Sequence, residues 1–333
     1  MCLFERLLMR KFSGLFALVV LCFSLNVASE PIKIVNIGHG YYAGALYIAQ
    51  QVKLFENYGL EADVSFVQGG AIALQTILSK QADIGIVSYE HVLNAAVQGR
   101  RIVSLYNIAN RPLNNLLVDM ATAKGSEGLS LEEKIKRLKG KRVGLPSANG
   151  SGEKMLKILA NRYGLQLPGD ISTVYLGSEP ASYVAAFQRK VIDAAIPVEP
   201  AGVMVEQSGL GSIYLNVMSG EVVEFQDLIF MTLTAHPDTM RDKPELMRKV
   251  TQVFTEANRI LRDPVRGKAF MAKQYPELSA SANDKVYTLM RQIWPESGRM
   301  TPAQAKATFD FLQPSGPSKV DLPLTFTNDY LPK

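Results

Sequence analysis

The chain has 333 residues, 47% of them hydrophobic and 20% charged, with a net charge of +5. That length holds two lobes of ordinary domain size, each with its own core. The composition excludes a low-complexity chain, and no charge run is long enough for a nucleic-acid-binding tail.

Arg6, Arg10 and Lys11 precede an apolar run from Phe12 to Leu25, and Val27-Ala-Ser29 follows it. This is the pattern of a secretory signal peptide, expected over residues 1–29 with cleavage near Ser29. A membrane anchor is the competing reading, but the run falls short of the roughly 20 apolar residues a spanning helix needs. Lipidation at Cys22 is a further alternative, for which Leu21 is a poor preceding residue. Both cysteines, Cys2 and Cys22, lie in this segment, so the mature chain would carry no thiol. Disulfides, cysteine nucleophiles and cysteine metal sites are thereby excluded. Removing the segment takes away three bases (Arg6, Arg10, Lys11) and one acid (Glu5), which lowers the charge from +5 to +3. So small a charge predicts no nucleic-acid partner.

The mature chain opens with a strand, Ile32-Lys-Ile-Val-Asn-Ile37, ended by Gly38-His-Gly40. Ile48, Val52 and Phe55 then make one helical stripe, closed by Gly59. A strand over 62–67 follows, then Gly69-Gly70 and a helix through Leu74, Ile77 and Leu78, then a strand over 84–87. The rhythm restarts with a strand over 139–145, the loop Pro146–Gly152 and a helix carrying Met155, Leu156 and Leu159. Strands over 173–176 and 194–198 flank a helix through Tyr183, Ala186 and Phe187. Alternation of this kind predicts βαβ units and mostly parallel sheets. Lys80-Gln-Ala-Asp83 and Lys190-Val-Ile-Asp193 echo each other at the end of a helix, which suggests two similar α/β lobes.

The run 228–234 reads as a strand returning to the first lobe. Leu246, Val250, Phe254, Ala257 and Leu261 form a 3.6-period stripe stopped by Pro264. Thr301-Pro-Ala-Gln304 starts another helix, with N-cap Thr, Pro at N1 and Gln at N3. The last residues, rich in proline, are expected to be an irregular surface tail.

Gly38-His-Gly40-Tyr-Tyr-Ala43 fits a dinucleotide fingerprint, but the strand that should end in a ribose-binding acid ends in Val67-Gln68. Gly150-Ser-Gly152-Glu-Lys154 opens a helix without completing a phosphate-binding loop. Neither a G-x-S-x-G elbow nor an H-E-x-x-H pair occurs. His39, His91 and His236 lie far apart and read as capping or hydrogen-bonded residues. The loops after strands, Gly38–Ala43, Gln68–Ala71, Ser88–His91 and Pro146–Gly152, are rich in Gly, Ser, Asn and Tyr and hold one acid, Glu90. They suit either plain turn geometry or a hydrogen-bonding cleft, in which helix N-termini favour an anion.

The segment His39 to Leu60, HGYYAGALYIAQQVKLFENYGL, resembles the opening motif of the nitrate/sulfonate/taurine periplasmic binding proteins and their thiamine-pyrimidine-precursor relatives. Lys53 replaces the usual glycine of that motif. Gln68-Gly-Gly70, Lys80 to Gly85, Ala95 to Gly99, Leu138 to Gly144 and Val191 to Pro200 resemble later landmarks in order. The resemblance implies a type II periplasmic binding protein fold: two α/β lobes, 30–117 with 229–333 and 118–228, joined by crossings near 111–123 and 224–231. It implies the substrate-binding component of an ABC-type importer, secreted to the periplasm, monomeric, without cofactor or metal and without catalytic residues. Its partners would be a small-molecule ligand and a membrane permease driven by a separate ATPase.

Carried over residue by residue, the ligand site would comprise Tyr41, Tyr42, Gly70, Ala71, Ser88, Tyr89, Ser147, Asn149, Ser151 and Glu199. Glu199 serves equally as a rim salt bridge, and Arg111 as a hinge salt bridge or an anion partner. A sulfonate, nitrate or carboxylate is the expected ligand class, and a pyrimidine-type vitamin precursor the alternative. A lyase on the same fold, with Glu199 or His39 as base, is the competing class.

Overall fold

A computed structural model describes residues 29–333 apart from Gln68, Asn149 and Ser315. The expected signal peptide, with both cysteines, lies outside the described residues except for Ser29.

Two five-stranded sheets organise the molecule. The first holds β1 (Glu30–Asn36), β2 (Leu60–Phe66), β3 (Ile84–Ser88), β4 (Val103–Ala109) and β10 (Met231–Ala235) in the order β2-β1-β3-β10-β4. The second holds β5 (Leu116–Asp119), β6 (Arg142–Leu145), β7 (Ser172–Tyr175), β8 (Ala194–Ala195) and β9 (Gly211–Leu215) in the order β7-β6-β8-β5-β9. The two orders are the same arrangement. In each, a leading strand lies between two parallel partners, and the strand fourth in order runs antiparallel to both neighbours. Two α/β lobes with one design result. In β1, exposed Lys33 separates buried Ile32 and Ile34, and Val35 and Asn36 are then both buried. Burial on both faces is what an inner strand flanked by helices requires.

The stripe predicted over 246–261 is the buried face of the helix Pro244–Arg262, which packs on the helix Gly44–Gln51. Leu246, Val250, Phe254, Ala257 and Leu261 are all buried, and Phe254 meets Phe55 edge-on at 6.5 Å between centroids. Each large side chain so buried contributes about 1.5–3 kcal/mol of transfer free energy. Thr301 caps the helix Pro302–Leu312 in a complete capping box with Gln304, as its sequence predicts.

Three expectations need correction. Ile48, Val52 and Phe55 do not share one helix: the chain leaves the helix after Gln51, Lys53 is left-handed (φ 56°), and a separate turn runs over Leu54–Asn57. The reversal lets Leu54 and Phe55 both reach the core. It falls where a glycine would be free of strain. The strand expected over 194–198 pairs only at Ala194–Ala195, because Pro197 has no N–H to give a ladder. Val198 keeps a lone bridge to Asn114. The C-terminal tail is more than surface cover. Ser104 N–H donates to the Thr325 carbonyl at 3.0 Å and Thr327 N–H to the Ser104 carbonyl at 2.9 Å, so this segment pairs along the outer edge of β4. Thr325 is only 3% exposed.

The sheets exchange chain twice, between β4 and β5 and between β9 and β10. The crossings are tied to one another. Arg111 Nη1 donates to the Met218 carbonyl at 3.0 Å, and Asn115 Oδ1 accepts from Met218 N–H at 3.1 Å. Asn114 Nδ2 reaches the Pro197 carbonyl at 2.9 Å. Arg111 is thus a hinge residue bonded to a carbonyl, in place of the salt bridge that its position suggested. Among the described residues no helix is long and apolar enough to cross a membrane.

Candidate functional site

The loops beyond the strand ends lead into helices that converge on one place. β3 runs directly into the helix Tyr89–Val97, with Ser88 as N-cap. After β2, Gly69 (φ +99°) caps the helix Gly70–Leu78, and after β6 Gly150 caps the helix Ser151–Arg162. Neither of these two caps offers a side-chain hydrogen bond, so both helices present first-turn N–H groups without a side-chain acceptor from the cap.

Gly70 is packed against His91. A Cβ built there would lie 1.6 Å from His91 Nε2, so only glycine lets the imidazole rest on this helix start. Burial pushes the His91 pKa down, with Glu90 acting to raise it and Lys154 to lower it. The imidazole is therefore neutral at pH 7 and sits among both charges.

Lys154 and Glu90 join across the two lobes, Nζ to Oε1 at 2.6 Å. The Lys154 side chain is 24% exposed and that of Glu90 10%. A lysine in the first turn of a helix opposes the helix dipole and gains from a neighbouring anion. Glu90 supplies that anion from the first turn of a helix in the other lobe, where an acid is favourable. A second cross-lobe pair, Lys285 Nζ to Glu206 Oε2 at 2.5 Å, links the helix Ala280–Arg291 to the helix Ala201–Gln207. Glu206 also accepts from Ile213 N–H at 3.0 Å.

Of the residues expected at the site, Gly70, Ala71, Ser88 and Ser151 stand on the three converging helix starts, and Ala71 is exposed. Ser147 is exposed in the loop before Gly150, with its Oγ close to that glycine. Asn149 lies outside the described residues. The three tyrosines have hydroxyls turned inward. Tyr41 donates to Asn283 Oδ1 at 2.8 Å and stacks on Tyr275, centroid to centroid 4.9 Å. Tyr42 donates to the Gly38 carbonyl at 3.0 Å. Tyr89 hydroxyl meets Thr325 Oγ1, and burial pushes its pKa up to about 12.

Glu199 also faces inward. It is 1% exposed, and its Oε2 accepts from Val203 N–H at 3.0 Å, which caps the helix Ala201–Gln207. Burial is the main reason its pKa is raised to about 7, and the Glu206 charge adds to the rise. The rim salt bridge is formed by Glu206 with Lys285, two turns further along.

Sequence reasoning placed Glu90 and His91 in a strand-end loop suited to a cleft without naming either as a ligand contact, and passed over Lys154. The available signal was the lysine itself, placed in the first turn after a glycine-rich loop where the helix dipole disfavours it. His39 stacks on Phe66 at 3.9 Å between centroids, and Phe66 is 36% exposed at the end of β2. Among the described residues no group of three or more His, Cys, Asp or Glu is placed to hold a metal ion.

Comparison with known proteins is consistent with this architecture. A protein of Brucella abortus (strain 2308), named as a binding protein, is 25% identical over 228 residues, 68% of this chain and 66% of that protein. The chain thus matches slightly under two thirds of that relative's length. The periplasmic aliphatic sulphonate binding protein SsuA of Escherichia coli superposes with a TM-score of 0.66 at 20% identity, covering 90% of this chain and 99% of that one. The alkanesulfonate-binding protein SsuA of Xanthomonas axonopodis pv. citri gives 0.62 at 18% identity, covering 85% and 93%. The periplasmic nitrate-binding protein NrtA of Synechocystis PCC 6803 gives 0.60 at 14% identity, covering 76% and 68%. At these identities the likeness establishes the two-lobed periplasmic binding protein fold. The sequence profile described as NMT1/THI5 like matches residues 41–265, well over half of the chain and parts of both sheets, and the chain belongs to that family.

Proposed function

We propose that this protein is the substrate-binding component of an ABC-type importer, which captures a small sulfonate, nitrate or carboxylate between its lobes and releases it unchanged. The observation that carries the reading is the convergence of two glycine-capped helix starts and Lys154 on one point, bridged across the lobes by Glu90. First-turn N–H groups with an ammonium beside them are a seat for an anion. Three of the proteins similar in fold are named for binding sulphonates or nitrate, which supports the same class.

On this reading the lobes are 30–117 with 229–333 and 118–228; in support, the chain changes sheets between Ala109 and Leu116 and again between Leu215 and Met231. Residues 1–29 are a cleaved signal peptide, the mature protein is a periplasmic monomer, and its macromolecular partner is a membrane permease with a separate ATPase. It is not an enzyme. Gly70, Ala71, Ser88, Ser147, Asn149 and Ser151 touch the ligand. Tyr41, Tyr42, Tyr89 and Glu199 shape the walls behind it.

A flat heterocycle such as a pyrimidine is the second reading, favoured by the exposed His39–Phe66 stack, against which a further ring would lie. A thermal-shift screen separates the two. Sulfonates, nitrate and carboxylates are expected to raise the melting temperature with concentration, as RT ln(1 + [L]/Kd) requires, and pyrimidines to leave it unchanged. The ligand recovered after long incubation should be chemically intact, with wild type and Glu199→Gln alike. Silence across the anion panel, or an altered product, defeats the proposal.

A further inference from the structure

Lys154 is held by a carboxylate of the protein itself. Glu90 Oε1 lies 2.6 Å from its ammonium, so the pair spans the gap between lobes. It does so at the same point where the helices Gly70–Leu78 and Ser151–Arg162 begin at glycine caps. Both charges are largely withdrawn from water, Glu90 more than Lys154. Removing either partner would strand the other in that setting. His91 closes one side against Gly70, and Ile196 closes another, its Cγ2 3.3 Å from the position of a Cβ at Gly152. Of the loops Gly38–Ala43, Gln68–Ala71 and Ser88–His91 only the last holds an acid, Glu90, and this is the carboxylate that reaches the lysine.

We infer that Glu90 is a tethered occupant of the anion seat: its carboxylate stands in for the ligand's, holds the lobes together while the protein is empty, and must be displaced before an anion can bind. This rests on the anion-binding reading above and goes beyond it. Two consequences follow from the geometry. The ligand-free protein is already closed, so an incoming anion binds only the fraction in which the pair has parted, and its apparent affinity is reduced by that fraction. An anion must also match Glu90 in charge and reach to take over Lys154, which makes Glu90 the residue that sets the threshold for which anions are accepted.

The test uses the mature protein and its Glu90→Gln and Lys154→Met variants, each checked for an intact fold by thermal melting. Small-angle X-ray scattering of the ligand-free proteins should give a larger radius of gyration for both variants than for wild type. Titration calorimetry with methanesulfonate as probe should show Glu90→Gln binding about tenfold or more tightly than wild type, and Lys154→Met binding weakly or not at all. An unchanged radius of gyration in both variants overturns the inference, and so does methanesulfonate binding to Glu90→Gln no tighter than to a wild type that binds it. If no protein binds methanesulfonate or any other small anion, the functional reading falls, and scattering alone still decides whether the pair holds the lobes together.

Discussion

Asp83 and Asp193 make the same two bonds in different lobes. Asp83 Oδ2 accepts from Lys33 N–H at 2.9 Å, and its own N–H donates to the Lys33 carbonyl at 2.9 Å. Asp193 Oδ2 accepts from Arg142 N–H at 2.9 Å, and its N–H donates to the Arg142 carbonyl at 2.9 Å. Each aspartate follows a left-handed lysine, Lys80 (φ 59°) or Lys190 (φ 54°), and each pins the turn before a strand to the leading strand beside it. The short Lys-x-x-Asp echo in the sequence is a repeated device for setting strand register.

Asp193 should matter most where it also pairs with the Arg142 guanidinium, Nη2 to Oδ1 at 2.8 Å. The hydrogen bond from that guanidinium is the first cause holding the Asp193 carboxyl below its ordinary range. A lowered folded-state pKa gives stability that is present above the ordinary carboxylate value and lost as pH falls through the lowered one. Asp193→Asn should therefore cost about 1 kcal/mol at pH 7, after allowance for solvent screening. The melting curves of variant and wild type should converge in acid. A difference that persists unchanged in acid defeats this assignment.

Glu199 has the opposite sign. Its pKa rises from the ordinary glutamate value of 4.5 to about 7, chiefly through burial. Between those values the folded chain holds a proton that the unfolded chain has lost, so stability declines as pH rises through the window and stays lower above it. Glu199→Gln keeps an acceptor for Val203 N–H and removes the charge. We expect its stability to be nearly level from pH 5 to 8, and to exceed that of wild type by about 2 kcal/mol at the upper end. Denaturant titrations across that range measure the slope, and a wild-type profile without decline would exclude a raised pKa.

Gly70→Ala should drive the new methyl group into the His91 ring and cost about 1–3 kcal/mol. His91→Ala makes room at the expense of a small void. The double variant should be more stable than the sum of the singles predicts, by about 1 kcal/mol or more. Strict additivity in chemical denaturation would mean that the contact is not felt.

Thr325 donates to the Leu322 carbonyl at 2.5 Å, so the Tyr89 hydroxyl must be the donor toward Thr325 Oγ1. Thr325→Val leaves the Tyr89 hydroxyl without its acceptor and Leu322 with only the main-chain N–H of residue 325, whereas Tyr89→Phe leaves Thr325 both bonds to Leu322. The valine variant should lose about 1–3 kcal/mol and the phenylalanine variant about 1 kcal/mol. Equal losses would exclude this bonding scheme, and a larger effect of Tyr89→Phe on ligand affinity than on melting would mean that the tyrosine contacts ligand.

Much of the architecture was legible because it is local. The stripe on Pro244–Arg262, the Thr301 capping box and the alternation that places β1, β2 and β3 each declare themselves within one short window. β4, β5 and β9 did not. β4 is buried along its whole length and carries Ser104 and Asn107 in the core, which hides any alternation, and β5 is only four residues long. At the site, the helix starts were readable from their glycines and serines. Glu90 and Lys154 stand 64 positions apart, and nothing in either window says that the lobes bring them within 2.6 Å. The inward turn of Tyr41 and Tyr89 depends likewise on Asn283 and Thr325, each more than 230 positions away.

The interleaving of strands has a consequence for biogenesis. All five strands of the second sheet lie between Leu116 and Leu215, and this unit can assemble as soon as that stretch is free. The first sheet has no such freedom: β10 fits between β3 and β4, so β4 has no neighbour on that side until Met231–Ala235 arrives. A nascent chain that has emerged only as far as Leu215 is therefore half built in an ordered way, with one finished module and one gapped module waiting for its missing rung.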